Sequence, residues 1–324
     1  MRLPLAGAIA VAGLLTLTTP ALAGDEGAGH DGPGTCPTPS CDVAVAATTD
    51  GQLLLLDAAS GGVWGHLDHN RPPTSSDRGA PIDAISLTPS RDEVYYAAKD
   101  WSDGGRDILA VGIDGNGRRL VVEDAASPAV SPDGRFLAYS FSPDPDSGRT
   151  SIAIRELATG TERTFGPGAD PDMVLGAVSD IAWSPDSTRL AFTHDYEGTE
   201  LWLLDLLSGT SDFSGARDLG PYRSPSWNNE GLFATEWSDE RRGLVARLDP
   251  AAGGFTPYNT EGGLSLDEAE VYGVDVRDNW GTDLLVVRGA NLEGGSAGRS
   301  GALDRVDATG AIRRLGAGYA VAAW

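Results

Sequence analysis

The chain has 324 residues, of which 24 are Lys or Arg and 47 are Asp or Glu, giving a formal net charge of −23 at pH 7. Nucleic acids and anionic membranes bind basic surfaces, so this charge argues against both classes of partner. It suits a soluble protein whose molecules repel one another, with calcium or a cationic partner as the alternative explanation.

The chain begins with the pattern of an export signal. Arg2 precedes an uncharged apolar run over Ala6–Leu17, and Ala21–Ala23 reads Ala-Leu-Ala, a small-x-small cleavage site. The run is too short to predict a membrane span, and no Cys lies at the cleavage site to carry a lipid. We therefore predict that residues 1–23 are a cleaved signal peptide and that the protein is secreted, without a membrane span, from about Gly24.

Residues 24–40 are rich in Gly, Asp, Pro and Thr and contain almost nothing to bury, which predicts a flexible leader. The two cysteines of the chain, Cys36 and Cys41, lie at its end. An exported protein meets an oxidising compartment, so we predict a disulfide between them. Closing so short a loop contributes at most about 2 kcal/mol. The pair is neither a CxxC redox motif nor a zinc site, and the sequence predicts no cofactor.

Three short apolar segments follow the leader: Val43–Thr48, Gln52–Asp57 and Val63–His66. They have the character of the outer three strands of a four-stranded unit that lacks its innermost strand. The next residues, His66–His69, read His-Leu-Asp-His and carry donors that suit a metal. No third ligand can be identified, so a metal site is not predicted.

A turn phrase then recurs along the chain. Ser131–Gly134 (Ser-Pro-Asp-Gly) precedes Arg-Phe-Leu-Ala-Tyr, Ser184–Ser187 (Ser-Pro-Asp-Ser) precedes Thr-Arg-Leu-Ala-Phe, and Thr88–Asp92 is a diverged copy. Each copy predicts a turn that leads into an apolar strand, because Pro presets φ and Asp bonds nearby backbone N–H groups. Repeats of about 40–50 residues are typical of a β-propeller, whose blades are four-stranded sheets.

A second signature marks the hairpins that close the outer strands. It occurs at Asp57–Gly61, Glu156–Gly160, Asp205–Gly209 and Asp307–Gly310, each with a Gly available for positive φ. Together the signatures place the ends of six innermost strands, at intervals of 43 to 53 residues: Leu87, Val130, Trp183, Trp227, Val276 and Trp324. The sixth, Gly318–Trp324, supplies the strand that the first unit lacks. The sequence thus predicts an all-β, six-bladed propeller over residues 41–324, closed by pairing of the C-terminal strand with the N-terminal blade.

The phrase Ser-Pro-Asp-Gly-Arg-x-Leu-Ala-Tyr resembles the WD40-like repeats of TolB-type propellers, and it is similar to repeats in the propeller domains of prolyl-oligopeptidase-like enzymes. The resemblance is good over Val130–Asp205, and the period extends it from about residue 42 to residue 324. It implies a propeller scaffold. Propellers host many functions, so the fold does not identify the activity.

Candidate catalytic and ligand sites are weak in this sequence. The Ser-Pro-Asp residues recur, which favours structural turns, and no Gly-x-Ser-x-Gly elbow is placed as a serine hydrolase requires. His194 beside Asp195 is interpreted as a polar strand end. Gly294–Ser300 departs from a phosphate loop, and Asp144–Gly148 lacks the spacing of an EF-hand calcium loop.

The tryptophans fall into two groups. Trp183 and Trp202 lie in the apolar rows of one blade and are predicted to be core, whereas Trp101, Trp237 and Trp280 lie at or near loop starts and are candidate partner anchors if exposed. The sequence therefore favours a secreted, monomeric, non-catalytic propeller that binds a protein or peptide partner through its central mouth or rim loops. The alternative is a secreted carbohydrate-active hydrolase or lyase with a dispersed site at the mouth of the central channel.

Overall fold

The structure is a computed structural model, and it describes residues 42–72, 80–144, 149–166, 176–195, 198–236, 245–251, 255–257, 269–276, 283–290, 301–307 and 309–324. The predicted signal peptide, the leader and the disulfide partners Cys36 and Cys41 lie outside these ranges.

The regular structure in these ranges is β, apart from one short 3-10 helix at Phe213–Gly215. The strands are β1 (Val43–Thr48), β2 (Gln52–Asp57), β3 (Val63–His69), β4 (Ile82–Leu87), β5 (Glu93–Lys99), β6 (Arg106–Gly112), β7 (Arg119–Val122), β8 (Ala125–Val130), β9 (Phe136–Asp144), β10 (Arg149–Glu156), β11 (Glu162–Phe165), β12 (Ala177–Trp183), β13 (Arg189–Asp195), β14 (Thr199–Asp205), β15 (Arg217–Gly220), β16 (Tyr222–Asn228), β17 (Gly231–Glu236), β18 (Val245–Leu248), β19 (Phe255–Pro257), β20 (Ala269–Val276), β21 (Leu284–Ala290), β22 (Gly301–Val306) and β23 (Ile312–Ala323).

Consecutive antiparallel strands form the sheets. Four sheets have four strands each, β4–β7, β8–β11, β12–β15 and β16–β19, and a fifth has seven strands in the order β20-β21-β22-β23-β1-β2-β3. The predicted all-β propeller arrangement is confirmed. The described strands do not fall into six separate sheets, however, because β23 joins what would be the first and last blades into one sheet.

The Ser-Pro-Asp segments are turns, as predicted. The buried Ser184 hydroxyl donates to Asp186 at 2.5 Å and accepts from the backbone N–H of Arg189 at 2.9 Å. Ser131 makes the equivalent bonds to Asp133 and to the N–H of Phe136. Each hydroxyl thus satisfies a backbone donor where the ladder of the next hairpin begins, which fixes the register of that hairpin.

Among the residues that the structure describes, the apolar core is divided among six clusters. Each cluster lies between neighbouring sheets or, in one case, between the two halves of the seven-stranded sheet, where Leu285 and Leu303 pack with Leu54 and Leu56. These strands are buried on both faces, which explains their nearly continuous apolar runs. Fully burying a Leu side chain stabilises the fold by about 1.5–3 kcal/mol.

The 12-residue strand β23 serves both halves of the seven-stranded sheet. Its first part pairs with β22 from Ile312 to Tyr319, and its last part pairs with β1, with Ala323 opposite Val45 and Val321 opposite Ala47. The chain changes partner near Gly318, where φ is +90°, a conformation that favours glycine. The predicted pairing of the C-terminal segment with Val43–Thr48 is therefore present.

Candidate functional site: the central cavity

Six strand segments, one from each four-stranded sheet and two from the seven-stranded sheet, face one central cavity. These inner strands are β4, β8, β12, β16, β20 and the last five residues of β23, and they contact one another in this order, with β23 returning to β4. The cavity has a volume of about 230 Å³ and is lined by residues of all six. Five of the predicted inner-strand ends are among its lining residues: Leu87, Val130, Trp183, Trp227 and Trp324.

Each inner strand has a one-residue irregularity in its ladder at the corresponding place. The register shifts after Ile82, Ala126, Ser179, Arg223, Val271 and, in the pairing of β1 with β23, beside Ala320. Three residues at these shifts are non-glycine residues with positive φ: Ser127 at 53°, Asp180 at 47° and Ser224 at 50°. Bulges of this kind redirect side chains, and all three residues line the cavity.

Hydrogen bonds that involve side chains join successive inner strands. The N–H of Val130 donates to Ser86 Oγ at 2.9 Å, the indole of Trp183 donates to the carbonyl of Ala129 at 2.9 Å, and Ser224 donates to Asp180 at 3.3 Å. Asp275 accepts from Ser226 at 2.6 Å and from the N–H of Trp324 at 2.7 Å. Several polar groups of the cavity wall therefore have a structural role, because they hold neighbouring strands side by side.

Asp83 is a charged residue of the cavity wall whose side chain stays accessible. It lies at the register shift of β4, and Arg106 binds its carboxylate at 2.8 Å while 37% of its side chain stays accessible. Enclosure by the protein raises the pKa of Asp83 to about 6, Arg106 opposes the rise, and Asp180 adds to it. Water reaching the carboxylate weakens these interactions. Asp83 thus titrates closer to neutrality than an ordinary carboxyl group.

Asp180 lies two strands farther round the ring, on β12. Enclosure raises its pKa, Arg223 opposes this, and Asp195 adds to it. Its carboxylate accepts from Ser224 at 3.3 Å and from Thr193 at 3.5 Å, so its position is fixed from two strands. Although protein surrounds the carboxylate, the residue keeps an exposed surface toward the cavity. Together, Asp83 and Asp180 define what we call the acidic end of the cavity.

The opposite end has different chemistry. The inner strands run from the acidic end to the Thr88, Ser131 and Ser184 turns, and Pro89 and Pro132 line the cavity there with Trp183 and Trp227. Both prolines are exposed, whereas both indoles are almost completely buried. We call this region the proline end. The cavity therefore has Asp83 and Asp180 at one end, whereas the other end has apolar side chains together with Asp275, whose carboxylate is bonded by Ser226 and Trp324.

The other candidates from the sequence lie outside this cavity. His194 is buried rather than part of a polar surface, which corrects the prediction. Its ring meets Trp202 edge-on at 6.2 Å, and burial lowers its pKa while Asp195 opposes the change. A neutral, packed imidazole follows from this position.

The His66–His69 segment does not assemble a metal site within the described structure. Asp68 accepts from the hydroxyl of Tyr96 and from Arg118, so its carboxylate is engaged by its own protein. No group of three or more His, Cys, Asp or Glu in the described ranges could hold a metal ion. Within the same ranges, no helix is long and apolar enough to cross a membrane.

The predicted division of the tryptophans into core residues and exposed loop residues is confirmed only in part. Trp183 is core, and Trp202 is half-buried against the same cluster. Trp101 is half-buried and held by its indole N–H bond to Asn70 at 3.1 Å and by Lys99 over its ring at 4.7 Å. Trp237, Trp280 and the segments Gly294–Ser300 and 145–148 lie outside the described residues.

Sequence reasoning missed Asp83, Asp180 and Arg106. Asp83 and Asp180 are the only charged residues of their strands, and that is the local signal that could have singled them out, since an isolated acid among apolar and small residues requires an explanation. Their convergence has no sequence pattern because they belong to different repeats.

The comparisons with known proteins agree with this architecture. No family model matches the chain. A protein TolB homolog from Chlorobium chlorochromatii (strain CaD3) is 38% identical over 105 residues, which is 31% of this chain and 21% of that protein. The chain thus matches about a fifth of the length of this curated relative.

Solved structures are similar over far more of the chain. TolB from Acinetobacter baumannii aligns with a TM-score of 0.61 and 16% identity over 87% of this chain and 65% of that one. A putative TolB from Agrobacterium tumefaciens aligns with a TM-score of 0.60 and 12% identity over 85% of this chain and 88% of that one. A puromycin hydrolase aligns with a TM-score of 0.51 and 20% identity over 87% of this chain and 44% of that one. At these identities the structures show the fold alone, and the resemblance to TolB-like propellers is confirmed at that level.

Proposed function

We propose that this chain is a six-bladed propeller that binds a peptide segment of a protein partner in its central cavity. The six-blade count is supported by the six core clusters and by the corresponding register shift in all six inner strands. In this interpretation β23 contributes the outer strand of the last blade and the inner strand of the first. The seven-stranded sheet is then two blades that share one strand.

The observation that carries the binding function is the cavity itself. It is formed by six separate strands, and polar side chains at its register shifts face a space of about 230 Å³. A folded domain is too large for that space, whereas an extended segment or a single side chain fits. The wall offers the hydroxyl of Ser127 among small apolar residues, which suits hydrogen bonding to a peptide.

A cavity-filling variant tests this proposal. Ala320 lines the cavity at the register shift of β23, so Ala320→Trp should occupy the space. Leu207, which is 76% exposed in a hairpin turn, provides the control Leu207→Trp. Each protein would be used to capture partners from the native extracellular fraction, after its melting temperature is shown to match that of the wild type. We expect Ala320→Trp alone to lose the captured partner; equal capture by both variants would contradict the proposal.

A second candidate function has one specific observation in its favour. Carboxyl groups with raised pKa values in a cleft, such as Asp83 and Asp180, are also found where acid–base catalysis occurs. A secreted glycan hydrolase or lyase would use them in this way. A screen of oligosaccharide substrates between pH 4 and 7 distinguishes the two functions, because only the enzyme would give turnover that Asp83→Asn abolishes.

We further propose that the protein is exported and acts as a monomer. Residues 1–23 are removed as a signal peptide, 24–40 form the leader, and Cys36 and Cys41 form a disulfide. N-terminal sequencing of the extracellular protein should begin at or near Gly24, and mass spectrometry of non-reduced peptides should show the linked cysteines. An uncleaved membrane-bound form would contradict the export proposal, and free thiols would contradict the disulfide.

A further inference from the structure

The charged residues that line the cavity all have the same sign. They are Asp83, Asp180 and Asp275, and no Lys, Arg or His is among the described residues of the lining. Asp275 is already bonded by Ser226 and Trp324. Arg106 binds Asp83 at 2.8 Å and Arg223 favours the ionised form of Asp180, but neither cation is among the lining residues. The cavity therefore presents negative charge to whatever enters it.

One acid of the acidic end acts electrostatically on the other. Asp83 is on β4 and Asp180 is on β12, with β8 between them, and Asp180 disfavours the ionised form of Asp83. A positive charge placed between two like-charged carboxylates stabilises both ionised forms. The whole chain, at −23, also attracts cations from a distance.

The form of the cavity favours a long cationic side chain over a bare metal ion. Calcium requires six to eight oxygen ligands at about 2.3–2.6 Å, and the described residues form no cluster of three or more metal-binding side chains. Beyond the acids and a few serines, the wall consists of apolar residues, including Ala84, Ile181 and Ala320. A Lys or Arg side chain matches this wall, because its apolar stem can pack on the apolar residues while its charged head reaches the acids.

We infer that the central cavity takes a Lys or Arg side chain of the partner peptide, with its cationic group at Asp83 and Asp180 and its backbone toward the proline end. This inference rests on the proposed peptide-binding function and specifies its ligand. Because Asp83 and Asp180 both lie at the acidic end, whereas the carboxylate of Asp275 is already bonded by Ser226 and Trp324, the two acids also set the direction of insertion.

The first experiment selects ligands without assuming one. A random dodecapeptide phage library would be selected on the full chain at low ionic strength, and the enriched sequences would be compared with the unselected library. The best peptide would be made with a photo-crosslinker, and the linked residues would be mapped by mass spectrometry. We expect enrichment of Lys or Arg at one position and crosslinks to residues of the inner strands.

The second experiment measures the charge directly. Replacing the selected Arg by citrulline, or a selected Lys by norleucine, leaves the protein untouched and should weaken binding at least tenfold. The double variant Asp83→Asn/Asp180→Asn should do the same. The double variant Glu156→Gln/Glu230→Gln removes two carboxylates outside the cavity lining and should change the dissociation constant less than twofold.

The outcomes separate the two proposals. If the peptides crosslink within the cavity but show no basic preference, and the neutral replacement binds equally, the inference is overturned while the peptide-binding function stands. If the selected peptides crosslink elsewhere, or no peptide is enriched, both are overturned. Should the Asp83→Asn/Asp180→Asn protein fail to fold, the replacement within the peptide still decides the question.

Discussion

The repeat sheets β8–β11 and β12–β15 and the seven-stranded sheet are held together by different interactions. In the repeat sheets the polar contacts of the turns are local: Ser131 and Ser184 bond groups two to five residues away. In the seven-stranded sheet, Arg305 binds Asp42 at 2.9 Å across 263 residues of sequence, and it binds Asp283 at 2.6 Å. Its guanidinium also lies 4.9 Å from the ring of Trp324.

The difference follows from what each region has to specify. A hairpin brings neighbouring residues together at a small entropic cost, so a turn with the right residues is sufficient. Joining β1 to β23 brings together the two ends of the described chain, and an apolar surface alone does not distinguish one register from the next. The indole of Trp324 donates to Asp42 at 2.8 Å, so a single carboxylate orients both Arg305 and Trp324.

The largest effect should come from removing the shared strand. Deletion of Gly318–Trp324 strips β1 of its partner, exposes a sheet edge and loses the burial of Trp324. Loss of a buried Trp costs about 3–5 kcal/mol, against a total stability of about 5–15 kcal/mol. We expect insoluble or protease-sensitive protein, whereas deletion of residues 24–34 should leave melting unchanged. A truncated protein that stays monomeric with unaltered melting would disprove closure by this strand.

A smaller but clear effect should come from Arg305. Arg305→Ala leaves the carboxylates of Asp42 and Asp283 partly buried without their cation, which we expect to lower the free energy of unfolding by about 2–3 kcal/mol. Arg135 is the matched control from the repeat region, since its 3.6 Å pair with Glu156 is more exposed. Its replacement by Ala should cost about 0–1 kcal/mol. Urea unfolding would measure both, and equal losses would remove the contrast between the two regions.

The repeat turns allow a reciprocal exchange. Gly134 and Ser187 occupy the same position in two copies, with φ of 70° and 57°. Gly134→Ala places a side chain in the left-handed region and should destabilise by about 1 kcal/mol. Ser187→Gly relieves the same strain and should be neutral or stabilising by less than that amount. Thermal unfolding should show a lower melting temperature for Gly134→Ala and an unchanged or higher one for Ser187→Gly. Equal decreases in the two melting temperatures would show that the turns are not equivalent.

The smallest effect concerns pH. The pKa of Asp83 is about 6 in the folded protein, above its ordinary value of 3.8. The folded state therefore holds this proton more tightly, and the contribution of Asp83 to stability declines as pH rises from about 4 to 6. The melting temperature of Asp83→Asn relative to wild type should rise over that interval.

The turn carboxylates provide the opposite case. Bonds from Ser184 and Thr188 lower the pKa of Asp186, so its contribution is lost on acidification. The melting temperature of Asp186→Asn relative to wild type should therefore fall as pH rises from about 3 to 5. If instead the melting temperatures of Asp83→Asn and wild type changed in parallel between pH 4 and 6, cavity enclosure would not perturb the pKa of Asp83.

Much of the fold could be predicted because its signals are local. The Ser-Pro-Asp turns and the Asp-to-Gly hairpins each lie within a few residues, and they locate strand ends such as Trp183 and Leu87 where the structure has them. Even the pairing of Tyr319–Ala323 with β1 follows from counting strands, because one unit lacks an inner strand and the C-terminal segment remains unpaired.

The cavity required the tertiary structure. Asp83, Asp180 and Arg106 come from three strands of two sheets, and only the ring arrangement brings the two acids to one end. The burial of His194 and the Asp42–Arg305 contact depend on packing in the same way. Sequence alone determined the turns and the period, since those depend on neighbouring residues. The charges that face the cavity were decided by which strands the tertiary structure places together.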